Sequence, residues 1–285
     1  MSSCLPEPGG APYIAPMAPR PFLKMHGLGN DFIVFDARSD PLVLLAAQVR
    51  ALSDRRTGIG CDQLIVVEPS TTATVRARFW NCDGEEVAAC GNGSRAVATL
   101  VGNDVSIETA GGLLVASANS GSATVDMGLP RFGWDEIPLA YAMDTRDLPL
   151  AWGPLDHPGA ANVGNPHVVF FVTDPYAVGL ERLGPEIEHD PVFPERVNVG
   201  VASLPSRDRM ILRVWERGAG LTRACGTGAV AAVAIAQRRG LADASVTVTL
   251  PGGNLVISRD AAGHLHMAGP AVIAFEGTVD LERYS

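Results

Sequence analysis

The residues of this chain best suited to chemistry are two cysteines, Cys90 and Cys225, each of which begins a Cys-Gly-x-Gly segment. If such a segment opens a helix, the helix start offers unpaired backbone N–H groups that can bind a carboxylate. The partial positive charge there lowers the pKa of a thiol, so that a thiolate base becomes accessible. A thiolate on one side of a carbon atom and a thiol on the other can remove a proton from one face and deliver one to the opposite face. The pair therefore predicts inversion of a stereocentre.

The two cysteines belong to an internal repeat with a constant spacing. The matching pairs are 29–35 with 164–170, 78–80 with 213–215, and Cys90 with Cys225, all separated by 135 residues. A further pair, 111–115 with 252–256, is 141 residues apart, which indicates an insertion of six residues in the second copy. Ordered matches of this kind indicate two copies of one structural unit. The two cysteine turns could then face each other across a cleft between the copies.

The elements that must position these turns follow from the hydrophobic pattern. Runs rich in β-branched and aromatic residues and bounded by Gly or Pro predict strands at 32–36, 64–68, 75–80, 122–127, 168–172, 211–215 and 246–250. The Ala- and Val-rich segments 94–100 and 229–237, which follow the cysteine turns, predict buried helices. Each copy is thus predicted to be an α/β (α+β) unit, giving two pseudo-symmetric domains with the site between them.

Composition excludes several classes of function. The net charge of −9 and the lack of a Lys/Arg block argue against a nucleic-acid partner, and no apolar run is long enough for a membrane span. Lys24 is the only lysine and has no recognisable phosphate-binding loop beside it, so a pyridoxal phosphate enzyme is not expected. Five cysteines without a Cys-x-x-Cys pair favour a reducing cytoplasm and argue against a zinc site. We therefore expect no metal and no cofactor.

The chain divides into three parts. Residues 1–21 contain six prolines and little periodicity, which predicts a disordered leader. The first repeat domain is predicted at 22–133 and the second at 134–270, with the crossing between them in the Pro- and Asp-rich segment 133–158.

An ordered set of motifs from residue 22 onward resembles the diaminopimelate epimerase family, whose members are pyridoxal-independent. The motifs are KMHGLGNDF at 24–32, RTGIGCDQ at 56–63, NCDG at 81–84, CGNG at 90–93, GNPH at 164–167, RVN at 196–198, ERGAG at 216–220 and ACGTG at 224–228. The resemblance implies interconversion of LL- and meso-2,6-diaminopimelate, with a homodimer in the cytoplasm. It also implies a sheet curled around a central helix in each domain, with a tail at 271–285 that returns to the first domain.

The resemblance also implies roles for individual residues. Cys90 and Cys225 would be the paired acid and base, and His167 and Glu216 would support proton transfer and substrate placement. The backbone N–H groups of Gly91, Asn92, Gly226 and Thr227 would bind the reacting carboxylate. The remaining substrate contacts would come from Asn30, Gln63, Asn81, Asn165, Asn198 and Arg217.

Other interpretations of the residues remain open. The same chemistry could serve a different amino acid, as in a histidine or proline-type racemase, although the polar set around Asn81, Asn198 and Arg217 favours a substrate with a second charged end. A Cys–His acyl-transfer enzyme with His167 as base is another hypothesis, but it does not explain two cysteines in register. A binding protein without turnover is the last alternative.

Overall fold

The computed structural model describes residues 19–88, 90–119 and 121–284. The helices are α1 Ala46–Ser53, α2 Gly91–Val101, α3 Leu180–Glu188 and α4 Gly226–Arg238, with a 3₁₀ turn at Leu281–Tyr284. The strands of the first half are β1 Arg20–Gly27, β2 Asn30–Asp36, β3 Gln63–Glu68, β4 Val75–Asn81, β5 Glu86–Val87, β6 Val105–Thr109, β7 Gly112–Asn119 and β8 Ser122–Asp126. The later strands are β9 Ala151–Trp152, β10 Leu155–Asp156, β11 Gly159–Asn162, β12 Pro166–Phe171, β13 Asn198–Ser206, β14 Arg209–Glu216, β15 Gly220–Leu221, β16 Ser245–Leu250, β17 Gly253–Arg259, β18 Leu265–Pro270 and β19 Val272–Val279.

The two copies of the repeat fold into two similar sheet-and-helix units. In the first, α2 packs against β1, β3, β6, β7 and β8, and in the second, α4 packs against β11, β12, β13, β14, β17 and β18. Parallel pairing places Phe32 opposite Gln63 in the first unit, and His167 opposite Asn198 in the second. Because both pairs are related by the spacing of the repeat, the α+β fold with two pseudo-symmetric units is confirmed.

Two strand pairings connect the ends of the repeat. Antiparallel pairing of β8 with β18 joins the two units into one continuous sheet. The C-terminal strand β19 pairs antiparallel with β1, so the end of the chain returns to the first unit. Strand β1 begins at Arg20, two residues before the predicted start of the first domain at 22, because Arg20 and Pro21 pair with β19. Residues 1–18 of the predicted leader lie outside the described residues.

Small residues allow each helix to be enclosed by strands. A Cβ added at Gly93 would lie 2.9 Å from Phe79 Cε1, and one added at Gly228 would lie 2.9 Å from Val214 Cγ2. The second glycine of each Cys-Gly-x-Gly segment therefore lets the helix start contact the neighbouring strand, and an added methyl group would cost about 1–3 kcal/mol. In α4 all residues from 229 to 236 are buried, and most of them are alanine. Their small side chains let the surrounding strands approach the helix closely.

The helices are longer than the sequence pattern indicates. Both α2 and α4 begin three residues before the predicted helices, directly after the cysteines, because each cysteine caps its helix. Helices α1 and α3 were not predicted. They are short, and α3 contains Gly184 and Pro185, which weaken any periodic signal. None of the helices in the described ranges is both long and apolar enough to cross a membrane.

Candidate active site

A cavity of about 1050 Å³ lies between the two units, and both cysteines line it. Strands and turns of the first unit contribute one wall, and the segment after β14 contributes much of the other. Of the residues selected from the sequence, eleven line this cavity: Asn30, Gln63, Asn81, Cys90, Gly91, Asn92, Asn165, Glu216, Cys225, Gly226 and Thr227. His167, Asn198 and Arg217 do not line it.

Each cysteine is the N-cap residue of its helix. Cys90 Sγ accepts a hydrogen bond from the backbone N–H of Gly93 at 3.3 Å, and Cys225 Sγ accepts one from Gly228 at the same distance. Both cysteines have extended backbone angles, as N-cap residues do. The sulfur atoms therefore lie directly at the positive ends of two helix dipoles, as the repeat predicted.

The two helix starts lie close together. A Cβ added at Gly226 would lie 3.1 Å from Asn92 Oδ1 and 2.9 Å from Met267 Sδ. A Cβ added at Gly91 would lie 2.9 Å from Met267 Cε. Met267 thus contacts both helix starts, and the first glycine of each segment leaves room for it. Because each cysteine caps one of these helix starts, both thiols lie at the wall of the same cavity.

Burial changes the expected ionisation of the thiols. The pKa of Cys90 is raised, because loss of solvent outweighs the hydrogen bonds from Gly93 and Asn92 and the charge of Arg95. The pKa of Cys225 is raised further, because the negative charge of Glu216 adds to the effect of burial. The expectation that the helix start lowers the pKa of each thiol is therefore wrong for this structure. Desolvation is the larger effect.

Glu216 lies at the end of β14 next to Cys225. Its carboxylate accepts a hydrogen bond from the Thr222 hydroxyl and interacts with the Cys225 thiol. Burial raises the pKa of Glu216, although these hydrogen bonds oppose the shift. A carboxyl group with a raised pKa beside a thiol can exchange a proton with it.

His167 does not line the cavity, but it contacts Asn165, which does. Its Nε2 atom is 2.9 Å from Asn165 Oδ1, and Asn165 lines the cavity. The ring is fully buried, and burial together with the charge of Arg217 lowers its pKa to about 3. His167 is therefore neutral at pH 7, with Nε2 donating to Asn165, and it orients this amide rather than carrying a charge into the cavity.

Asn198 supports the turn that carries Glu216. Its Nδ2 atom donates to the carbonyl oxygen of Pro166 at 2.8 Å, and its Oδ1 atom accepts from the backbone N–H of Arg217 at 2.9 Å. The Arg217 side chain is exposed and donates to the carbonyl oxygen of Glu195 at 2.9 Å. In this arrangement Asn198 and Arg217 lie beside the cavity rather than in its wall.

Amide side chains of the first unit form an ordered chain of hydrogen bonds. Asn92 donates to Asn30 Oδ1 at 3.2 Å, and Asn30 donates to Asp62 Oδ2 at 3.0 Å. Nearby, Gln63 donates to Asn81 Oδ1 at 3.0 Å. These contacts fix the orientation of polar groups next to the start of α2.

Sequence reasoning missed a charged network on the same wall. Asp31 receives hydrogen bonds from Lys24 and Arg55, and Arg55 also donates to Asp62 at 2.6 Å. These contacts lower the pKa of Asp31 to about 2, although burial opposes the shift. Lys24 and Asp31 stand inside the motif at 24–32, but nothing in the sequence shows that they pair with each other in the cavity wall. Within the described part of the chain, no group of His, Cys, Asp and Glu side chains is arranged to hold a metal ion.

The similarity of this chain to known proteins extends over both copies of the repeat. A sequence model of the diaminopimelate epimerase family matches residues 22–133 and 159–274, one block for each unit. The diaminopimelate epimerase of Erythrobacter litoralis is 60% identical over 93% of this chain and 98% of its own. That of Zymomonas mobilis is 54% identical over the same shares of the two chains.

Solved structures with low sequence identity share the fold. A phenazine biosynthesis protein of the PhzF family from Bacillus anthracis has a TM-score of 0.67 at 17% identity, covering 92% of this chain and 99% of that protein. A hydroxyproline epimerase from Agrobacterium vitis has a TM-score of 0.64 at 16% identity, covering 92% of each chain. These two likenesses concern architecture alone. The match to the family model and the identity to its members, over almost the whole chain, establish that this chain belongs to the diaminopimelate epimerase family.

Proposed function

We propose that this protein interconverts LL- and meso-2,6-diaminopimelate by moving protons at one α-carbon between two thiols, with no cofactor. The observation that carries the proposal is the pair of N-cap cysteines on one cavity, each held by a backbone N–H group at 3.3 Å. The high identity to named epimerases supports the choice of substrate. The chain is then an isomerase that acts in the formation of lysine and cell-wall precursors.

The two thiols divide the proton transfer. Before the reaction one sulfur is a thiolate and the other a thiol; the thiolate takes the α-proton and the thiol gives its proton to the opposite face. Glu216 lies next to Cys225, and its negative charge opposes ionisation of that thiol, which favours Cys90 as the resting thiolate. After one turnover the protonation states are reversed. Glu216, next to Cys225, provides a route by which that sulfur recovers its proton.

The helix starts supply the stabilisation that the reaction needs. Removing an α-proton leaves a carbanion whose charge is shared with the adjacent carboxylate. The backbone N–H groups of Gly91, Asn92, Gly226 and Thr227 lie at the two helix starts that line the cavity, where they can bind that carboxylate from both sides. Fixed N–H dipoles in a site shielded from water stabilise such charge without reorganisation.

The amide groups of the cavity would orient the rest of the substrate. Asn30, Gln63, Asn81 and Asn165 offer donors and acceptors that suit ammonium and carboxylate groups. His167 holds Asn165 in place, and Asn198 holds the backbone at Arg217. We assign the distal end of diaminopimelate to the region of Asn81, Asn198 and Arg217, whose exposed guanidinium would turn toward a bound carboxylate.

The domain division and the cellular setting belong to the same proposal. The first domain would comprise 22–133 with the tail 271–285, and the second 134–270. The pairing of β19 with β1 supports the return of the tail. By analogy with the family we also propose a homodimer in the cytoplasm, without nucleic-acid or membrane partners.

Single substitutions test the assignment of the two bases. Cys90→Ala and Cys225→Ala should each lose conversion of LL- to meso-diaminopimelate by at least about a thousandfold, because each removes one of the two proton carriers. Cys82→Ala is the matched control, since Cys82 is exposed and does not line the cavity. Conversion is measured by chiral chromatography on reduced protein. Near-normal conversion by either cavity variant would overturn the mechanism.

A further inference from the structure

Arg95 is a buried cation with almost no polar contact. It lies five residues after Cys90 in α2, and 0% of its surface is exposed. Its Nη1 atom contacts Met267 Sδ at 3.4 Å, and among the described residues Nε and Nη2 have no hydrogen-bond partner and no carboxylate pairs with it. Burying a charge without a counterion costs several kcal/mol. A group retained at that cost calls for a functional explanation.

The surrounding strands are built to accommodate this guanidinium. A Cβ added at Gly27 of β1 would lie 3.0 Å from Arg95 Nη2, and one added at Gly269 of β18 would lie 3.5 Å from Arg95 Cζ. Two strands from different parts of the chain thus carry glycine where they meet the charge. The position of Arg95 is therefore tightly specified rather than incidental.

The negatively charged group that interacts with the Arg95 guanidinium is the thiolate form of Cys90. The charge of Arg95 favours the ionised form of Cys90, and the Cys90 thiolate in turn favours the charged form of Arg95. Arg95 does not line the cavity, so it does not act by touching a substrate. Any effect on the reaction must pass through Cys90 or through Met267.

The repeat shows that this charge is present on one side only. The position equivalent to Arg95 in the second unit is Val230, which is buried in α4. The position equivalent to Glu216 in the first unit is Asn81, which is uncharged. The pseudo-symmetry is thus broken in opposite senses: the Cys90 side has a buried cation, and the Cys225 side has a carboxylate.

Arg95 also holds a side chain that contacts both catalytic turns. Met267 meets Arg95 through its sulfur, and it lies against Gly91 and Gly226 at the two helix starts. A shift of Met267 would change how closely the two helix starts approach. The contact therefore links the buried charge to the geometry of both cysteines.

We propose that Arg95 is a positioning residue for proton transfer: its uncompensated guanidinium selects Cys90 rather than Cys225 as the resting thiolate, and it fixes Met267 between the two helix starts. The role of this thiolate in a reaction rests on the proposed function, whereas the effect of Arg95 on the ionisation of Cys90 does not. The ionisation of Cys90 is measurable without any substrate.

Most other charged groups around α2 have partners of their own, and Glu216 is an exception. Glu216 across the cavity acts on Cys90 and opposes its ionisation. His26 of β1 shares the cavity wall with Cys90. The remaining charged side chains on the strands that pack against α2 have their own contacts: Lys24 with Asp31, Arg20 with Asp40, Glu68 with Arg78, Glu108 with Ser70, and Asp126 with His264.

Alkylation of the cysteines at different pH values tests the proposal. Reduced protein without substrate is treated with iodoacetamide between pH 6 and 10, and the modification of Cys90 and Cys225 is followed by peptide mass spectrometry. In the wild-type chain Cys90 should reach half of its maximal rate at a lower pH than Cys225. In Arg95→Met that pH should rise for Cys90, by up to about one unit, since the charge of a buried cation that favours the thiolate is lost. Arg95→Lys should retain the wild-type order of the two cysteines.

Matched controls separate the charge from packing. Val230→Ala, at the equivalent position of α4, removes buried volume without charge and should leave both pH profiles unchanged. An unshifted Cys90 profile in folded Arg95→Met would overturn the proposal. If Arg95→Met does not fold, the wild-type order decides: alkylation of Cys225 at a lower pH than Cys90 overturns the proposal. Because substrate is absent, a protein that fails to epimerise diaminopimelate still gives either result.

Discussion

Glu216 and Asn81 occupy equivalent positions of the repeat, each directly after the tryptophan that ends the matched motif, and only Glu216 can carry a negative charge. Both line the cavity between the units. Two cysteine turns that both cap a helix with an extended backbone are thereby given different electrostatic surroundings. Such a difference favours one sulfur over the other as the one that starts without a proton.

Replacing the carboxylate tests this difference. Glu216→Gln should lower the pH at which Cys225 is alkylated, because the charge that opposes its ionisation is removed. The shift at Cys90 should be smaller, since Glu216 is only a minor influence there. Both profiles are read from the same alkylation experiment. Equal shifts at the two cysteines would contradict the placement of Glu216 next to Cys225.

Burial of the thiols predicts an alkaline pH optimum. The pKa of both cysteines is raised, so at low pH the free enzyme holds two thiols and lacks a base. We expect kcat/KM to rise with pH through the ionisation of Cys90 and to fall only when Cys225 also ionises. Initial rates between pH 6 and 10 measure this profile. An optimum below pH 7 would show that burial does not control the thiols.

Glu188 should be important for stability and for the turn that carries Glu216. Its buried carboxylate accepts from Trp215 Nε1 at 2.7 Å and from the backbone N–H of Gly218 at 2.9 Å. Glu188→Ala leaves both donors unpaired and should lower the free energy of unfolding by about 3 kcal/mol. Denaturant unfolding measures the loss. The control is Glu186→Ala, since Glu186 is an exposed residue of the same helix. An equally large loss in this variant would show that the destabilisation comes from a general change in α3 and not from the two hydrogen bonds of Glu188.

His167 should make the protein sensitive to mild acid. Its pKa is lowered from 6.5 to about 3 in the folded state, so the unfolded chain binds a proton more readily as the pH falls below 6.5. Its contribution to stability is therefore complete above pH 6.5 and is lost as the pH falls toward 3, by about 2 kcal/mol at pH 5. In His167→Gln the free energy of unfolding should change less between pH 7 and 5.

The exposed residue His189 provides the comparison for this prediction. His189→Gln should keep the wild-type dependence on pH, because its ring lies at the surface. Asp31, with its pKa of about 2, affects stability only below about pH 4 and so does not confuse the result. A His167→Gln slope equal to that of the wild-type chain would contradict a neutral, buried His167.

The repeat carried most of what could be predicted. Because Cys90 and Cys225 recur in register, the two helix starts and the strands around them followed from the sequence. The other nine of the eleven cavity residues came from the resemblance to the family. Residues whose importance depends on burial could not be found in this way. Arg95 and Glu188 read as ordinary helix residues, and only tertiary packing shows that their charges are enclosed.

The ionisation of the thiols was also beyond sequence reasoning. A helix start lowers the pKa of a cysteine, and the sequence shows the helix starts at Gly91 and Gly226. Desolvation acts in the opposite direction, and its size depends on how the two units close around the sulfur atoms. Likewise, the pairing of Lys24 with Asp31 depends on how β1 meets β2 at their shared edge.

Proton exchange from solvent is the most direct test of two bases. Reduced protein is incubated with LL-diaminopimelate in D₂O without added cofactor, and both isomers are followed by NMR from the first turnovers. With two thiol bases, the meso product should carry deuterium at the inverted carbon while the remaining LL substrate stays unlabelled at first. The reason is that the proton is delivered by a second thiol that has exchanged with solvent. No meso product, or a product that keeps its original proton, would contradict the two-thiol mechanism.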